Sequence, residues 1–270
     1  MPKRERLDRL LVEQGLAPSR ERAQSLILAG LVTVKGQRAD KAGTAYPPDA
    51  KIAVKEDPCP YVSRGGLKLA HALDTFELSP EGRICIDVGS STGGFTDVML
   101  QRGARRVVCV DVGKGQLDWK LRDDDRVAVL EGVNARNLTK NDFTAAAGKQ
   151  APTLATADLS FISVTKVLPA IRPLMAKSFE MLILAKPQFE VGKGQVGKGG
   201  IVKDPAVHRA VLESLWGWAE ENNFGPAAAC ASPIRGAKGN REFFLHLIPG
   251  EEAGDMADEI ERALVEKEDD

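Results

Sequence analysis

Asp87-Val88-Gly89-Ser90-Ser91-Thr92-Gly93-Gly94-Phe95-Thr96 closes an apolar run that begins at Ile84 and leads directly into a helical pattern. Glycines at 89, 93 and 94 let the backbone turn sharply and approach a ligand with no Cβ in the way. The next apolar run, Val107 to Asp111, ends on a carboxylate about twenty residues after the glycine loop, where an acid can accept hydrogen bonds from both hydroxyls of a ribose. Loop and acid together specify a nucleoside-containing ligand. Further runs at Val127 to Leu130, Leu154 to Ala157, Met181 to Leu184, Ala227 to Ala231 and Phe243 to Leu247 read as strands, with helical segments between most of them. That alternation builds a parallel sheet covered by helices. The last two runs are joined by the turn-rich Pro233 to Asn240, which predicts an antiparallel pair.

The glycine spacing narrows the ligand. A dinucleotide site needs a middle glycine to admit a pyrophosphate, and Gly89-Ser90-Ser91-Thr92-Gly93-Gly94 has none. S-adenosylmethionine has no phosphate to cradle, and Asp87 at the strand end could accept from its ammonium group. Seven strands ending in a hairpin resemble the Rossmann-like α/β fold of methyltransferases that use this cofactor. A second glycine-rich segment, Gly192 to Gly199, matches most of a phosphate-binding loop, but Gly199 stands where a hydroxyl should hold magnesium. It reads instead as a basic loop that folds over substrate.

Upstream, the pattern changes. Leu7, Leu10 and Leu11 recur at helical spacing up to Gly15, and Ser19 suits the N-cap of a second helix carrying Ala23, Leu26 and Ile27 and ending at Gly30. Short strands follow at Leu31 to Val34 and Lys51 to Val54, with Lys35-Gly36 as a turn. The run Arg6-Leu7-Asp8 through Gly15, Ser19-Arg20, Ala23, Leu26-Ile27, Gly30, Val32 and Val34-Lys35-Gly36 resembles the S4 domain, a small α+β RNA-binding module. The resemblance implies that folded RNA is met by shape and phosphate contacts, through basic residues drawn from Arg4, Arg6, Arg9, Arg20, Arg22 and Lys35, with Arg64 beyond the linker.

Charge supports a basic face. The formal net charge is -1, yet residues 251–270 hold ten acidic groups against Arg262 and Lys267, and without them the balance is +7. The first 38 residues carry eight Lys or Arg and four acids. Local excess decides phosphate binding because counterions are released where phosphates are met. The expected organisation is an RNA-binding domain over 1–55, a semi-rigid linker over 56–63 restricted by Pro58 and Pro60, a catalytic domain over 64–250 and a frayed acidic tail over 251–270. Cys59, Cys85, Cys109 and Cys230 show no metal-ligand spacing and read as small core residues, with no metal expected. No stretch has the roughly 20 apolar residues of a membrane span, so the chain reads as cytoplasmic, and as a monomer because no sustained apolar stripe appears.

Methyl transfer to a hydroxyl needs in-line approach and a route for a proton, so a lysine held among carboxylates is the feature to seek. Lys68, Asp158, Lys186 and Glu242 are the candidates, three of them at strand edges or in the adjoining hairpin. Burial beside a second cation lowers a lysine pKa while neighbouring carboxylates raise it, and sequence leaves the balance open. Ser63-Arg64-Gly65-Gly66-Leu67-Lys68-Leu69, Asp111-Val112-Gly113, Asn134-Ala135-Arg136, Ala157 to Ser163, Lys186 to Gly192 and Gly239-Asn240-Arg241-Glu242 resemble the TlyA or hemolysin A family, which is related to the FtsJ group.

That resemblance implies 2'-O-methylation of ribose, on cytidine, in 16S or 23S ribosomal RNA, with Lys68, Asp158, Lys186 and Glu242 as the catalytic tetrad. It places Asp87, Gly89, Ser90, Ser91, Gly93, Gly94, Phe95, Thr96, Asp111, Val112, Asn134, Asp158 and Leu159 around S-adenosylmethionine. Rival readings are a base methyltransferase, a pore-forming hemolysin and a non-catalytic RNA-binding factor. The first favours an acid or asparagine followed by Pro-Pro-aromatic after the fourth strand, where this chain has Asp158-Leu159-Ser160-Phe161.

Overall fold

The computed structural model describes residues 4–17, 19–28, 30–55, 59–192, 194, 196–197, 199–236 and 238–266. Glu56, Asp57 and Pro58 of the expected linker, Lys193, Gln195 and Lys198 of the second glycine-rich loop, and 267–270 of the tail lie outside them. Chain contacts divide the molecule into two compact units, Met1–Pro60 and Tyr61–Asp270.

In the first unit the order is β1 (Glu5–Arg6), α1 (Leu7–Glu13), α2 (Arg20–Leu28), β2 (Val32–Val34), β3 (Gln37–Arg38), β4 (Ala45–Tyr46) and β5 (Ile52–Val54). The two helices bury Leu7, Leu10, Leu11, Ala23, Leu26 and Ile27 against Val32 and Val34. Ser19 Oγ accepts from the backbone N–H of Arg22 at 3.2 Å, an N-cap bond, and Gly15 and Gly30 sit at φ +70° and +71° as left-handed stops. Lys35 and Gly36 both have positive φ, the requirement of a two-residue hairpin turn whose twist matches its strands. The turn joins β2 to β3, a strand too short to show in the alternation, and β2 pairs with β5 on its other side.

The second unit runs α3 (Gly65–Thr75), β6 (Ile84–Val88), α4 (Gly94–Gln101), β7 (Arg106–Asp111), α5 (Trp119–Arg122), β8 (Val127–Glu131), α6 (Lys140–Ala147), β9 (Leu154–Ala157), α7 (Leu168–Ile171), β10 (Glu180–Ala185), α8 (Pro187–Glu190), α9 (Pro205–Glu221), β11 (Pro226–Ala231), β12 (Phe243–Leu247) and α10 (Met256–Val265). Its sheet has the order β11-β12-β10-β9-β6-β7-β8, parallel except that β12 runs antiparallel to both neighbours. Alternate residues feed two apolar layers: Ile86, Val108, Ala155 and Ile183 face one, while Cys85, Val107, Leu154 and Leu182 face the other. Strands buried on both faces are near-continuous in apolar residues for this reason. The chain leaves β6 toward β7 on one side and returns through β9 on the other, so the crevice beyond the C-terminal ends of β6 and β9 is the switch point where open α/β sheets take ligands.

Two expectations need correction. Tyr61 and Val62, expected in a semi-rigid linker, belong to the second unit: the Val62 N–H donates to Asp97 Oδ2 at 2.8 Å, and both side chains pack on the core beneath α3 and α4. The acidic tail is not frayed over 256–265. Its charge suggested a solvated helix, but Ile260 and Ala263 lie on one face of α10, fully buried against the sheet core. No helix among the described residues is long and apolar enough to cross a membrane. Truncation of Ile260 to Ala should cost about 3 kcal/mol in urea unfolding, whereas a tail lying loose in solvent would show almost no change.

Candidate active site

Register brings the charged residues together. Ala185 of β10 stands opposite Phe243 of β12 in the antiparallel ladder, so Lys186 and Glu242 occupy the next rung at the end of the sheet. β9 pairs with β10 on the other side and ends at Ala157, which delivers Asp158 to the same rim. Lys186 Nζ lies 2.5 Å from Asp158 Oδ1 and 3.3 Å from Ser160 Oγ. The Asp158 contact is out of line for a hydrogen bond and acts as a charge pair. Lys68, on α3, places Nζ 2.5 Å from Glu242 Oε2, with Lys68 at 8 % and Glu242 at 3 % exposure. Burying two charges is tolerable only because each satisfies the other. Gln188 Nε2 lies 3.4 Å from Glu242 Oε1, so α8, which follows Lys186 directly, touches the Lys68–Glu242 pair; Gln188 falls within the Lys186 to Gly192 stretch, but a glutamine gives no sign of which distant residue it meets. The four candidates therefore meet as two pairs, Lys186–Asp158 and Lys68–Glu242.

The glycine loop is built for contact within the protein more than was expected. Gly89 has φ +83°, and a Cβ there would lie 2.3 Å from the backbone oxygen of Asp158. At Gly93 (φ +93°) a Cβ would strike Leu117 and Leu121, and at Gly94 it would strike Ser63 and the Gly66 backbone. These glycines let α4, α3 and the loop after β9 close on one another.

Asp87 is likewise not open to the ammonium group of a ligand. It is wholly buried, accepting from Thr96 Oγ1 at 2.7 Å and Thr156 Oγ1 at 3.0 Å, and burial pushes its carboxyl up to about 6 despite both hydroxyls. Phe95 and Thr96 are also buried, Phe95 packing against Phe244, so their side chains support the loop from below. The resemblance places them around the cofactor, but at this helix start their side chains turn to the core.

On the open side, Asp111 accepts from the Ser91 N–H at 2.8 Å and the Gly113 N–H at 2.7 Å, joining the loops after β6 and β7. Val112 beside it is 71 % exposed, an apolar surface at the crevice. Asn134 caps a short 3-10 turn through Oδ1 to the Arg136 N–H, and Ser90 is buried beneath the loop. Leu159 packs partly on the core and approaches Gly89. Asp111 and Val112 thus give a surface that fits a nucleoside, a carboxylate for ribose hydroxyls beside an apolar patch for a purine face, while the N–H groups of Gly89, Ser90, Ser91 and Gly93 are spent on Val110, Asp111 and the loop itself.

In the first unit, Asp8 is fully buried and collects Arg6 Nε at 2.9 Å, Arg20 Nη2 at 3.1 Å and Gln24 Nε2 at 2.9 Å, which holds its carboxyl well below the usual range. Arg6 and Arg20 are brought together with about half of each side chain still exposed. Arg9 pairs instead with Glu5 at 3.2 Å, Arg22 is half-buried, and Arg4 and Lys35 are exposed. Arg64, exposed at the start of α3, belongs to the second unit.

The model of the FtsJ-like methyltransferases matches residues 61–248 and that of the S4 domain residues 5–52. The chain belongs to the FtsJ-like methyltransferase family. Within that family it is 44 % identical, over 98 % of this chain and 99 % of the other, to the 16S/23S rRNA (cytidine-2'-O)-methyltransferase TlyA of Mycobacterium tuberculosis. It is 39 % identical to hemolysin A of Brachyspira hyodysenteriae, over 90 % and 99 % of the two chains. A solved hemolysin-family chain from Streptococcus thermophilus superposes with a TM-score of 0.75 at 41 % identity, covering 97 % of this chain and 96 % of that one. S-adenosylmethionine is the cofactor of FtsJ-like enzymes, and the surface around Asp111 suits it.

Two outcomes check this geometry. Gly89→Ala should lose about 2 kcal/mol of stability from its left-handed backbone, and cofactor affinity by calorimetry should fall about tenfold as the loop is forced off Asp158. Folded Asp87 keeps its proton to about pH 6, whereas an unfolded carboxyl releases it near 3.8. Between those values the folded state binds more protons, so stability falls as pH rises. Asp87→Asn removes that slope, and its stability relative to the parent should climb by up to about 3 kcal/mol between pH 3.5 and 7 in urea unfolding.

Proposed function

We propose that this FtsJ-like enzyme transfers a methyl group from S-adenosylmethionine to the 2'-hydroxyl of a cytidine in ribosomal RNA, acting as a monomer on ribosomal subunits in the cytoplasm. The observation that carries the reading is the convergence of Lys186–Asp158 and Lys68–Glu242 beside the Asp111 surface. The specification of ribosomal RNA and cytidine follows the activity named for the TlyA relative.

When bound, the cofactor supplies an electrophilic methyl on a sulfonium. The protein has to hold a ribose oxygen in line with that carbon and give its proton somewhere to go. Lys186 is suited to the first task, because it stands at the strand-end rim with Nζ held by Asp158 and Ser160. It donates to the ribose oxygen and steers it, and the hydroxyl proton leaves to water as the new C–O bond forms. Lys68 and Glu242 form the inner wall, with Gln188 connecting that wall to the Lys186 segment. Phe161 stands next to this rim at 88 % exposure, with φ +65° and its ring 5.0 Å from that of Phe189. An aromatic held outward offers a face on which an unstacked base can lie.

The test is transfer of labelled methyl to separated ribosomal subunits, with mapping of the product. We expect one modified ribose, resistant to alkaline cleavage on its 3' side, and a Lys186→Ala enzyme that folds and binds cofactor but is slower by about 10² or more. Label on a base, or parental turnover by Lys186→Ala, removes the proposal.

A further inference from the structure

Arg241 lies immediately before Glu242, and its side chain reaches the C-terminal end of α10. Its Nη1 donates to Leu264 O at 2.7 Å, and its Nη2 to Ala263 O at 3.2 Å and Glu266 O at 2.6 Å, while the guanidinium sits 5.2 Å from the centre of the Phe243 ring. Those oxygens belong to the last turn of α10, where carbonyls have no partner within the helix and a cation is favoured by the helix dipole. Glu266, which ends that helix, completes the joint. Its Oε2 accepts from the Ala231 N–H at 2.7 Å at the end of β11, and its Oε1 lies 2.9 Å from Nε2 of His71. His71 follows Lys68 by one turn of α3. The C-terminal turn therefore grips the chain one residue from Glu242 and one helical turn from Lys68, at the β11 edge of the sheet. Cys230 Sγ lies within 4.8 Å of the His71 and Glu266 atoms. Burial pushes that thiol upward, and both Glu266 oxygens are already engaged, so the cluster reads as a polar joint.

We propose that Arg241 and Glu266 are positioning residues: together they form a C-terminal latch that keeps the start of β12 and helix α3 at the spacing in which Lys68 meets Glu242. The inference rests on the reaction proposed above, since only a precisely spaced inner wall makes such a latch consequential for turnover. A loosened latch leaves the Asp111 surface in place, because that surface lies on β6 and β7 at the other side of the switch point. Cofactor affinity should be spared, and the loss should fall on kcat.

The experiment compares the full chain with Arg241→Met, Arg241→Lys and Glu266→Gln. It measures melting, cofactor affinity by calorimetry, kcat and KM on ribosomal subunits, and the rate at which an amine-acylating reagent labels Lys68, read by mass spectrometry. Arg241→Met should keep cofactor affinity and KM within about twofold, lose about tenfold in kcat, and show Lys68 labelled about threefold faster. Arg241→Lys, which retains a donor, should recover part of both changes, and Glu266→Gln should fall between. A folded Arg241→Met with parental kcat overturns the latch, as does a loss confined to KM or one without faster labelling of Lys68. If Arg241→Met does not fold, Glu266→Gln decides by the same criteria. Should the parent itself fail to methylate ribosomal RNA, the proposed reaction falls, and Lys68 labelling alone still decides whether the latch holds this pair.

Discussion

The antiparallel rung between β10 and β12 carries the architecture of the site. Because Ala185 faces Phe243, Lys186 and Glu242 emerge at the same level, and the parallel strand β9 delivers Asp158 beside them. A slip of β12 by one residue in that ladder would reverse every side chain of β12, sending Phe244 into the wrong layer and Glu242 away from Lys68. Core packing and chemistry are thus set by one pairing: Phe243 and Leu245 lock into one apolar layer, Phe244 into the other.

The two lysine–carboxylate pairs differ in setting, and the difference divides their labour. Lys68 and Glu242 are both almost out of water, where an unpaired charge would be severely penalised. Their contact is therefore a structural requirement before it is a chemical one. The two lysines are equally sheltered and the carboxylates differ: Asp158 is about a quarter exposed, so the outer pair can yield to an incoming hydroxyl. In the proposed reaction the inner pair shapes the pocket and the outer one meets the substrate.

Much of this was readable from residue order. The alternation of apolar runs located all seven strands of the large sheet, because strands buried on both faces leave a strong compositional mark. Strand-end placement made Asp158, Lys186 and Glu242 candidates beside Lys68, and the resemblance to the TlyA family grouped the four as a tetrad. Residue order says less about which way a side chain points within a tight loop. Asp87, Phe95 and Thr96 lie next to ligand-facing positions in sequence, yet face the core. Gln188 and Arg241 act through partners far along the chain, and nothing local announces such contacts. Charge misled at the C-terminus, where Ile260 and Ala263 are spaced three apart among acids and bury fully against the sheet.

Gly89 has a mechanical consequence. With its Cα pressed against the backbone of Asp158, the cofactor loop and the strand end bearing the outer acid have no gap between them that a side chain could occupy. Two loops in such contact shift as one body, so any displacement imposed on the donor side is passed to the acceptor side without slack. Donor and acceptor alignment is in this way a property of the main chain, and substitutions that retune RNA preference have to arise farther out, on side chains such as Phe161 that no other backbone confines.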